Sequence, residues 1–80
     1  MQETLYRQDT VPVQYALNLS ARELEVLKLL VEGYSNPEIV RAMYLSINTI
    51  KTHVRSIMNK FAVECRIQVA VFAVRHQLIK

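Results

Sequence analysis

The stretch that decides the fold is residues 46–61, SINTIKTHVRSIMNKF. At about 100° per residue its apolar side chains fall on one side of a helix. That side comprises Ile47, Ile50, Val54, Ile57, Met58 and Phe61. The opposite side has only basic, amide and hydroxyl groups and no carboxylate: Asn48, Lys51, Thr52, Arg55 and Asn59. The pattern predicts an amphipathic helix, capped by Ser46, whose polar face is open to a partner.

Two helices are predicted before this one, and each begins with a capping box. Ser20 with Glu23 opens the first helix, which Gly33 ends, and Ser35 with Glu38 opens a short second helix. The residues expected to face the core are Leu24, Leu27, Leu30 and Val31 in the first helix and Ile39, Val40 and Met43 in the second. A tight break at residues 44–46 then leads into the third helix.

The last predicted helix, roughly residues 64–78, is apolar on two sides. One side carries Val69, Ala70 and Ala73, and the nearly opposite side carries Ile67, Val71, Val74 and Leu78. A helix of this kind normally has two partners, and a small domain supplies only one of them from its own core. The second partner is either another copy of the chain, giving a homodimer, or the chain's own residues 1–18.

Composition bounds the class of protein. With 80 residues, of which 51% are hydrophobic, the chain is expected to form one small helical domain, residues 19–80, after an N-terminal arm or linker, residues 1–18. One cysteine excludes an internal disulfide and a cysteine-cluster metal site. No apolar run approaches the ~18 residues of a membrane span, and the start lacks the layout of a secretory signal. We therefore expect a cytoplasmic protein that does not enter a membrane.

Charge is distributed unevenly along the chain. Residues 1–40 carry three basic and six acidic residues, whereas residues 41–80 carry seven basic residues and one acidic residue. This asymmetry indicates a polyanionic partner for the second half, although a merely solvated basic surface gives the same count. Two short helices joined by a tight turn, the second with a basic exposed face, describe a helix-turn-helix. A major groove admits one such helix, in which Arg and Lys donate to guanine and Asn pairs with adenine.

Four segments then carry a family resemblance: LSARELEVL (19–27), EGYSNPEI (32–39), LSINTIKTHVRSIMNK (45–60) and VECR (63–66). Together they resemble the LuxR/FixJ-type, or NarL-type, DNA-binding domain of bacterial transcription regulators. The resemblance implies an all-α, four-helix domain whose third helix enters the major groove of double-stranded promoter DNA. It implies base contacts from Lys51, Thr52 and Arg55, and Asn48 and Asn59 are expected to help because they lie on the same face of the helix. It implies phosphate contacts from Ser35, Asn36, Thr49, Lys51 and Lys60, and pairing of two domains through the fourth helix.

The chain departs from the family pattern at Val40, Ala62 and Val69. Ala62 follows the third helix, where the family usually has Gly, and so it leaves the exact end of that helix in question. Family members usually carry a receiver or ligand-binding domain ahead of this one, so the chain is either an excised effector domain of a response regulator or a stand-alone regulator. It is similar to small receiver-less cyanobacterial regulators that answer photosynthetic electron transport through a thiol.

Cys65 is the redox candidate. Beside Arg66 and in the first turn of the last helix, its thiolate would be favoured, and a disulfide or exchange with thioredoxin would alter the dimer; the alternative is a small space-filling side chain. Arg22 and Arg66 are candidates for ion pairs with Glu25 or Glu38. No nucleophile with a base, phosphate loop, cofactor or metal cluster indicates an enzyme. The rival function is a helical interaction module that docks on RNA polymerase or a regulator without reading bases.

Overall fold

The computed structural model describes residues 18–79. This part of the chain contains four α-helices and no strand: α1 (Ala21–Val31), α2 (Asn36–Met43), α3 (Ile47–Phe61) and α4 (Arg66–Arg75). The all-α fold class and the number of helices are thus confirmed. Of the predicted arm, residues 1–18, all but Asn18 lie outside the described residues.

The capping signals position α1 as predicted. The Ser20 hydroxyl accepts from the Glu23 backbone N–H at 3.0 Å, and the Glu23 carboxylate accepts from the Ser20 N–H at 2.9 Å. At the other end Gly33 has φ +95°, which glycine adopts at little cost. Its N–H and that of Tyr34 turn back to carbonyls of the last helical turn, so α1 ends in a Schellman motif.

The second capping box opens α2. Ser35 and Glu38 exchange the same two hydrogen bonds, at 2.8 and 3.3 Å, and Pro37 lies in the first turn, where its missing N–H leaves no helical bond unmade. Tyr44 ends the helix in the left-handed conformation, with φ 57°. Only residues 44–46 separate α2 from α3, which is the tight turn of a helix-turn-helix.

The predicted bounds of α3 are also confirmed. Ser46 is its N-cap and accepts from the Thr49 N–H at 3.1 Å. Ala62 takes the left-handed conformation, with φ 57° and ψ 43°, although this costs alanine roughly 1 kcal/mol more than glycine. The N–H groups of Ala62 and Val63 close a Schellman motif on the Asn59 and Met58 carbonyls. The departure from the family pattern at Ala62 therefore leaves the helix end where glycine would put it.

The predicted last helix is too long at both ends. α4 runs only from Arg66 to Arg75, and Cys65 is its N-cap residue, not part of its first turn. Gln77 is left-handed, with φ 55°, and the Leu78 N–H bonds the Ala73 carbonyl at 2.9 Å. This Schellman turn takes Leu78 out of the helical register and into the core, where it is 8% exposed. The assignment of Leu78 to an exposed seam was wrong for that reason.

The core lies between α1, α3 and α4, with α2 packed mainly on α3. Its buried members are Val26, Leu27, Leu30, Ile39, Ile50, Val54, Ile57, Phe61, Val69, Ala73 and Leu78. The buried stripe of α1 is rotated relative to the prediction: it contains Glu23 and Val26, while Leu24 and Val31 are half-buried. Because Glu23 is charged, a pattern of apolar residues at helical spacing does not include it in the buried stripe. Ile47 was likewise predicted to be inward but is 39% exposed.

Candidate nucleic-acid interface

The polar side of α3 is an exposed surface, as its periodicity predicts. Asn48, Lys51, Thr52, Arg55 and Asn59 are all exposed, and we call them the α3 face. Within residues 18–79, no carboxylate forms an ion pair or hydrogen bond with Lys51 or Arg55. Both cations are therefore available to an external anion or acceptor.

Thr52 is the member of the α3 face whose hydrogen-bonding capacity is partly used. Its hydroxyl donates to the Asn48 carbonyl one turn earlier, at 3.0 Å. A hydroxyl has one donor, so Thr52 presents only acceptor lone pairs and its methyl group to the outside. Of the groups at base edges, these fit an exocyclic amine or the thymine methyl.

The first turn of α3 has the features of a site that favours an anion. Ser46 and Thr49 bond each other through their hydroxyls at 2.9 Å, and that turn holds no acidic residue. The positive end of the helix dipole therefore acts there without a compensating carboxylate. Thr49, a predicted phosphate ligand, is half-buried beside the α3 face.

The predicted phosphate ligands Ser35 and Asn36 lie together at the start of α2. Ser35 is exposed and Asn36 is half-buried. The Asn36 Oδ1 accepts from Arg66 Nη1 at 2.6 Å, and Arg66 Nη2 donates to the Tyr34 carbonyl at 2.7 Å. Arg66 thus bonds an amide and a carbonyl instead of Glu38. We call these two hydrogen bonds of Arg66 the Arg66 clamp. They join residues 30 or more positions apart, and no local sequence pattern predicts them.

Lys60, another predicted phosphate ligand, belongs to a cluster at the far end of α3. Its Nζ lies 2.7 Å from Glu23 Oε1 and 2.9 Å from the Asn18 carbonyl. The Ser56 hydroxyl donates to the other oxygen of Glu23. We call Glu23, Ser56 and Lys60 the Glu23 cluster; it ties the start of α1 to the last turns of α3. No sequence pattern predicts the role of Ser56, because a serine on a helix carries no signal of its own.

The charge of Glu23 is stabilised in the fold. Burial raises the pKa of this carboxyl, but hydrogen bonds from Lys60, Ser56 and the Ser20 N–H outweigh burial and lower the pKa to about 2 from 4.5. Hydrogen bonds from Ser35 similarly lower the pKa of Glu38. Both carboxylates therefore serve as ionised caps, which accounts for them without a catalytic role.

An apolar surface lies on α4, away from its core side. Ile67 is 75%, Val71 49% and Val74 60% exposed, and we call these three residues the α4 patch. Val31 and Ala70 extend the patch as the floor of a shallow groove. No described residue covers these side chains. The seam predicted from the sequence is therefore present without Leu78.

The cysteine and histidine side chains of residues 18–79 form no second site. Cys65 is exposed, and its thiol makes no capping hydrogen bond, two residues before Ile67. His53 is half-buried, whereas His76 is exposed and packs on Phe72 with ring centroids 4.3 Å apart. Among residues 18–79 no three His, Cys, Asp or Glu side chains cluster as metal ligands. None of the described helices has the length and apolar character needed to span a bilayer.

Comparison with known proteins gives one consistent result. The family described as "Bacterial regulatory proteins, luxR family" matches residues 17–73. Proteins named response regulator protein VraR, from Staphylococcus aureus, Staphylococcus saprophyticus and Staphylococcus epidermidis, are each 45% identical over 62 residues. The aligned region covers 78% of this chain but 30% of each relative, so the chain spans less than a third of their length. Since the family match takes in all of α1, α2 and α3 and most of α4, the chain belongs to the luxR family of bacterial regulatory proteins.

Proposed function

We propose that the chain is the DNA-binding domain of a cytoplasmic transcription regulator and that it inserts α3 into the major groove of promoter DNA. The observation that carries the proposal is the α3 face: five exposed polar side chains, two of them cations with no carboxylate partner within residues 18–79, on a helix joined to α2 by a tight turn. Membership of a family of regulatory proteins and similarity to response regulators support the same conclusion.

The five members of the α3 face have three roles in this proposal. Arg55 and Lys51 donate to guanine acceptors, and Asn48 and Asn59 offer amides that suit adenine. Thr52 accepts from an exocyclic amine or contacts a thymine methyl, since its own proton is held by the Asn48 carbonyl. In this proposal, sequence preference comes from the α3 face.

Four residues outside the α3 face bind the DNA backbone. Ser35 and Asn36 lie at the start of α2 and Thr49 in the first turn of α3, where N–H groups and the helix dipole favour a phosphate. Lys60 uses two of its three ammonium protons on Asn18 and Glu23, which leaves one for a phosphate. Several such contacts predict a steep loss of affinity with added salt.

Two substitutions separate base reading from backbone binding. Arg55→Ala should cost about 1–3 kcal/mol at one base position, whereas Lys60→Ala should weaken binding to all sequences alike. Footprinting and titration of both variants, on a duplex selected from a random pool and on random-sequence DNA, measure the difference. Lys28→Ala removes one exposed cation from α1 and is the control for net charge. Equal losses on both DNAs for Arg55→Ala would contradict the base-reading role.

Two copies of the domain pair through the α4 patch on adjacent half-sites. Three exposed aliphatic side chains on one helix support this, because apolar area left in water favours association. Val71→Asp should abolish cooperative binding to two half-sites and leave the affinity for one half-site within about twofold, because V71D does not touch the α3 face. Retained cooperativity would contradict pairing through this patch.

Cys65 is proposed as a redox control of that pairing. Two Cys65 thiols from two copies and one hydrogen peroxide give one disulfide and two water molecules, and reduced thioredoxin returns the thiols by becoming a disulfide itself. The exposure of Cys65 and its position beside Ile67 support the proposal. Peroxide should alter DNA binding of the wild type but not of Cys65→Ser. An identical response of both proteins would exclude the switch.

The rival function, a module that docks on RNA polymerase without reading bases, makes the opposite prediction. Its binding partner would be a protein, its DNA affinity would be negligible, and a Lys51→Ala, Arg55→Ala double variant would behave as wild type. The exposed α4 patch is the observation that supports this rival function, because an exposed apolar surface can also bind another protein. Salt titration of DNA binding by the wild type and the double variant distinguishes the two functions.

A further inference from the structure

Arg66 donates hydrogen bonds to two residues on either side of Ser35, a predicted phosphate ligand. The Nη2 group of Arg66 donates to the Tyr34 carbonyl, in the loop after α1, at 2.7 Å. The Nη1 group donates to Asn36 Oδ1, on the first residue of α2, at 2.6 Å. Ser35, the N-cap of α2, lies between these two acceptors along the chain. A single side chain from α4 therefore fixes the approach to the start of α2.

The chemistry of the pair fixes which way the Asn36 amide faces. A guanidinium only donates, so the amide must turn its oxygen to Arg66. The Asn36 Nδ2 group then points to the other side, and no acceptor within residues 18–79 takes a hydrogen bond from it. The first residue of α2 therefore keeps two side-chain N–H donors that no described residue uses, on an amide whose oxygen is held by the Arg66 cation.

We propose that Arg66 is a positioning residue for DNA-backbone binding: it holds the Asn36 amide with its N–H groups outward, where they donate to a phosphate. This inference rests on the proposed function. Arg66 does not touch the DNA itself. It keeps the amide from rotating and from presenting its oxygen, which would repel a phosphate oxygen. It also makes backbone binding depend on α4, the helix that carries the α4 patch.

A double-mutant cycle tests the positioning role. The probe is a 30-base-pair duplex that the wild type selects from a random pool, and the variants are Asn36→Ala, Arg66→Met and both together. Arg66→Met keeps the aliphatic stem and removes the donors. Each single change should lower affinity about tenfold, the loss expected for one charge-assisted hydrogen bond, and the double variant should lose little more than either. Losses that multiply to about a hundredfold would overturn the proposal.

Two further readouts separate positioning from a general structural effect. In phosphate-ethylation interference, Asn36→Ala and Arg66→Met should each lose the interference signal at the same single phosphate. Arg75→Met removes an exposed cation of the same helix and should retain that signal. Weakening of every phosphate contact by Arg66→Met would overturn the proposal. Failure of the wild type to select any duplex would instead remove the proposed function.

A second variant keeps the proposal testable even if Arg66→Met does not fold. Asn36→Asp still accepts from Arg66 but offers no N–H and adds a negative charge at the phosphate site. It should retain the wild-type midpoint of urea unfolding while its DNA affinity falls more than tenfold. An Asn36→Asp protein as destabilised as Asn36→Ala, or one that binds DNA as the wild type does, would overturn the assigned amide orientation.

Discussion

The two ends of the polar surface of α3 use the same kind of residue in opposite ways. Lys51 and Arg55, on the α3 face, have no partner within residues 18–79. Lys60, one to three turns further along, is bonded to the carboxylate of Glu23, a residue that is only 6% exposed, and to a backbone carbonyl. The first region leaves its charge for an external ligand, whereas in the second region two of the three ammonium protons of Lys60 join α3 to Asn18 and α1. Basic residues on one helix therefore cannot be counted as one binding surface.

The largest expected effect acts on the Glu23 cluster and comes from acid. The folded-state pKa of Glu23, about 2, is below its ordinary value of 4.5, so its stabilisation is fully present above pH 4.5. It is lost as the pH falls from 4.5 to 2, and it amounts to about 3 kcal/mol of unfolding free energy. Urea unfolding at pH 7, 4.5 and 2.5 measures it.

The control for this acid effect is Glu23→Gln, which has no carboxylate to protonate. Its stability should be lower than that of the wild type at pH 7 and should fall much less between pH 4.5 and 2.5. The lowered pKa of Glu38 acts in the same direction in both proteins, so the comparison cancels it. An equally steep loss in E23Q would show that Glu23 is not the group responsible.

The next effect compares the two lysines directly. Lys60→Met leaves the Glu23 carboxylate buried without its cation and should lower the unfolding free energy by about 2 kcal/mol. Lys51→Met changes an exposed side chain and should alter stability by less than about 0.5 kcal/mol. Urea denaturation at pH 7 gives both values. Similar stabilities for the two variants would remove the distinction on which the comparison rests.

The features that the sequence predicts are those formed by residues close together along the chain, and the features that it does not predict join distant residues. The capping boxes, the helix-turn-helix and the α3 face depend on spacings of three or four residues, and a periodic pattern contains them. The Glu23 cluster and the Arg66 clamp join residues 30 or more positions apart, which no local pattern contains.

Leu78 shows how a local pattern fails at the end of a helix. Its spacing from Ile67, Val71 and Val74 places it on their side only while the helix continues. Gln77 turns left-handed, and because a glutamine gives no such signal, the pattern runs past the true end at Arg75. The same pattern is right at Gly33, where a glycine marks the turn.

A smaller effect separates stability from binding. Ala62→Gly relieves the left-handed strain just after the Glu23 cluster and should raise the unfolding free energy by roughly 1 kcal/mol. Because Ala62 lies outside the α3 face, DNA affinity should stay within about twofold of wild type. Thermal unfolding and a DNA titration measure the two quantities. A destabilised A62G protein would indicate that the alanine methyl contributes packing that exceeds the strain.

The smallest effect concerns an ion pair outside both regions. Arg22 and Glu25 approach to 3.7 Å on α1, but their side chains are 57% and 58% exposed. Water screens such a pair, so Arg22→Ala should change the unfolding free energy by less than about 0.5 kcal/mol. The same measurement on Lys60→Met gives the contrast between an exposed and a covered pair of the same charges. If R22A proved as damaging as the loss of Lys60, burial would not be what makes the Glu23 cluster matter, and the two ends of α3 would differ for another reason.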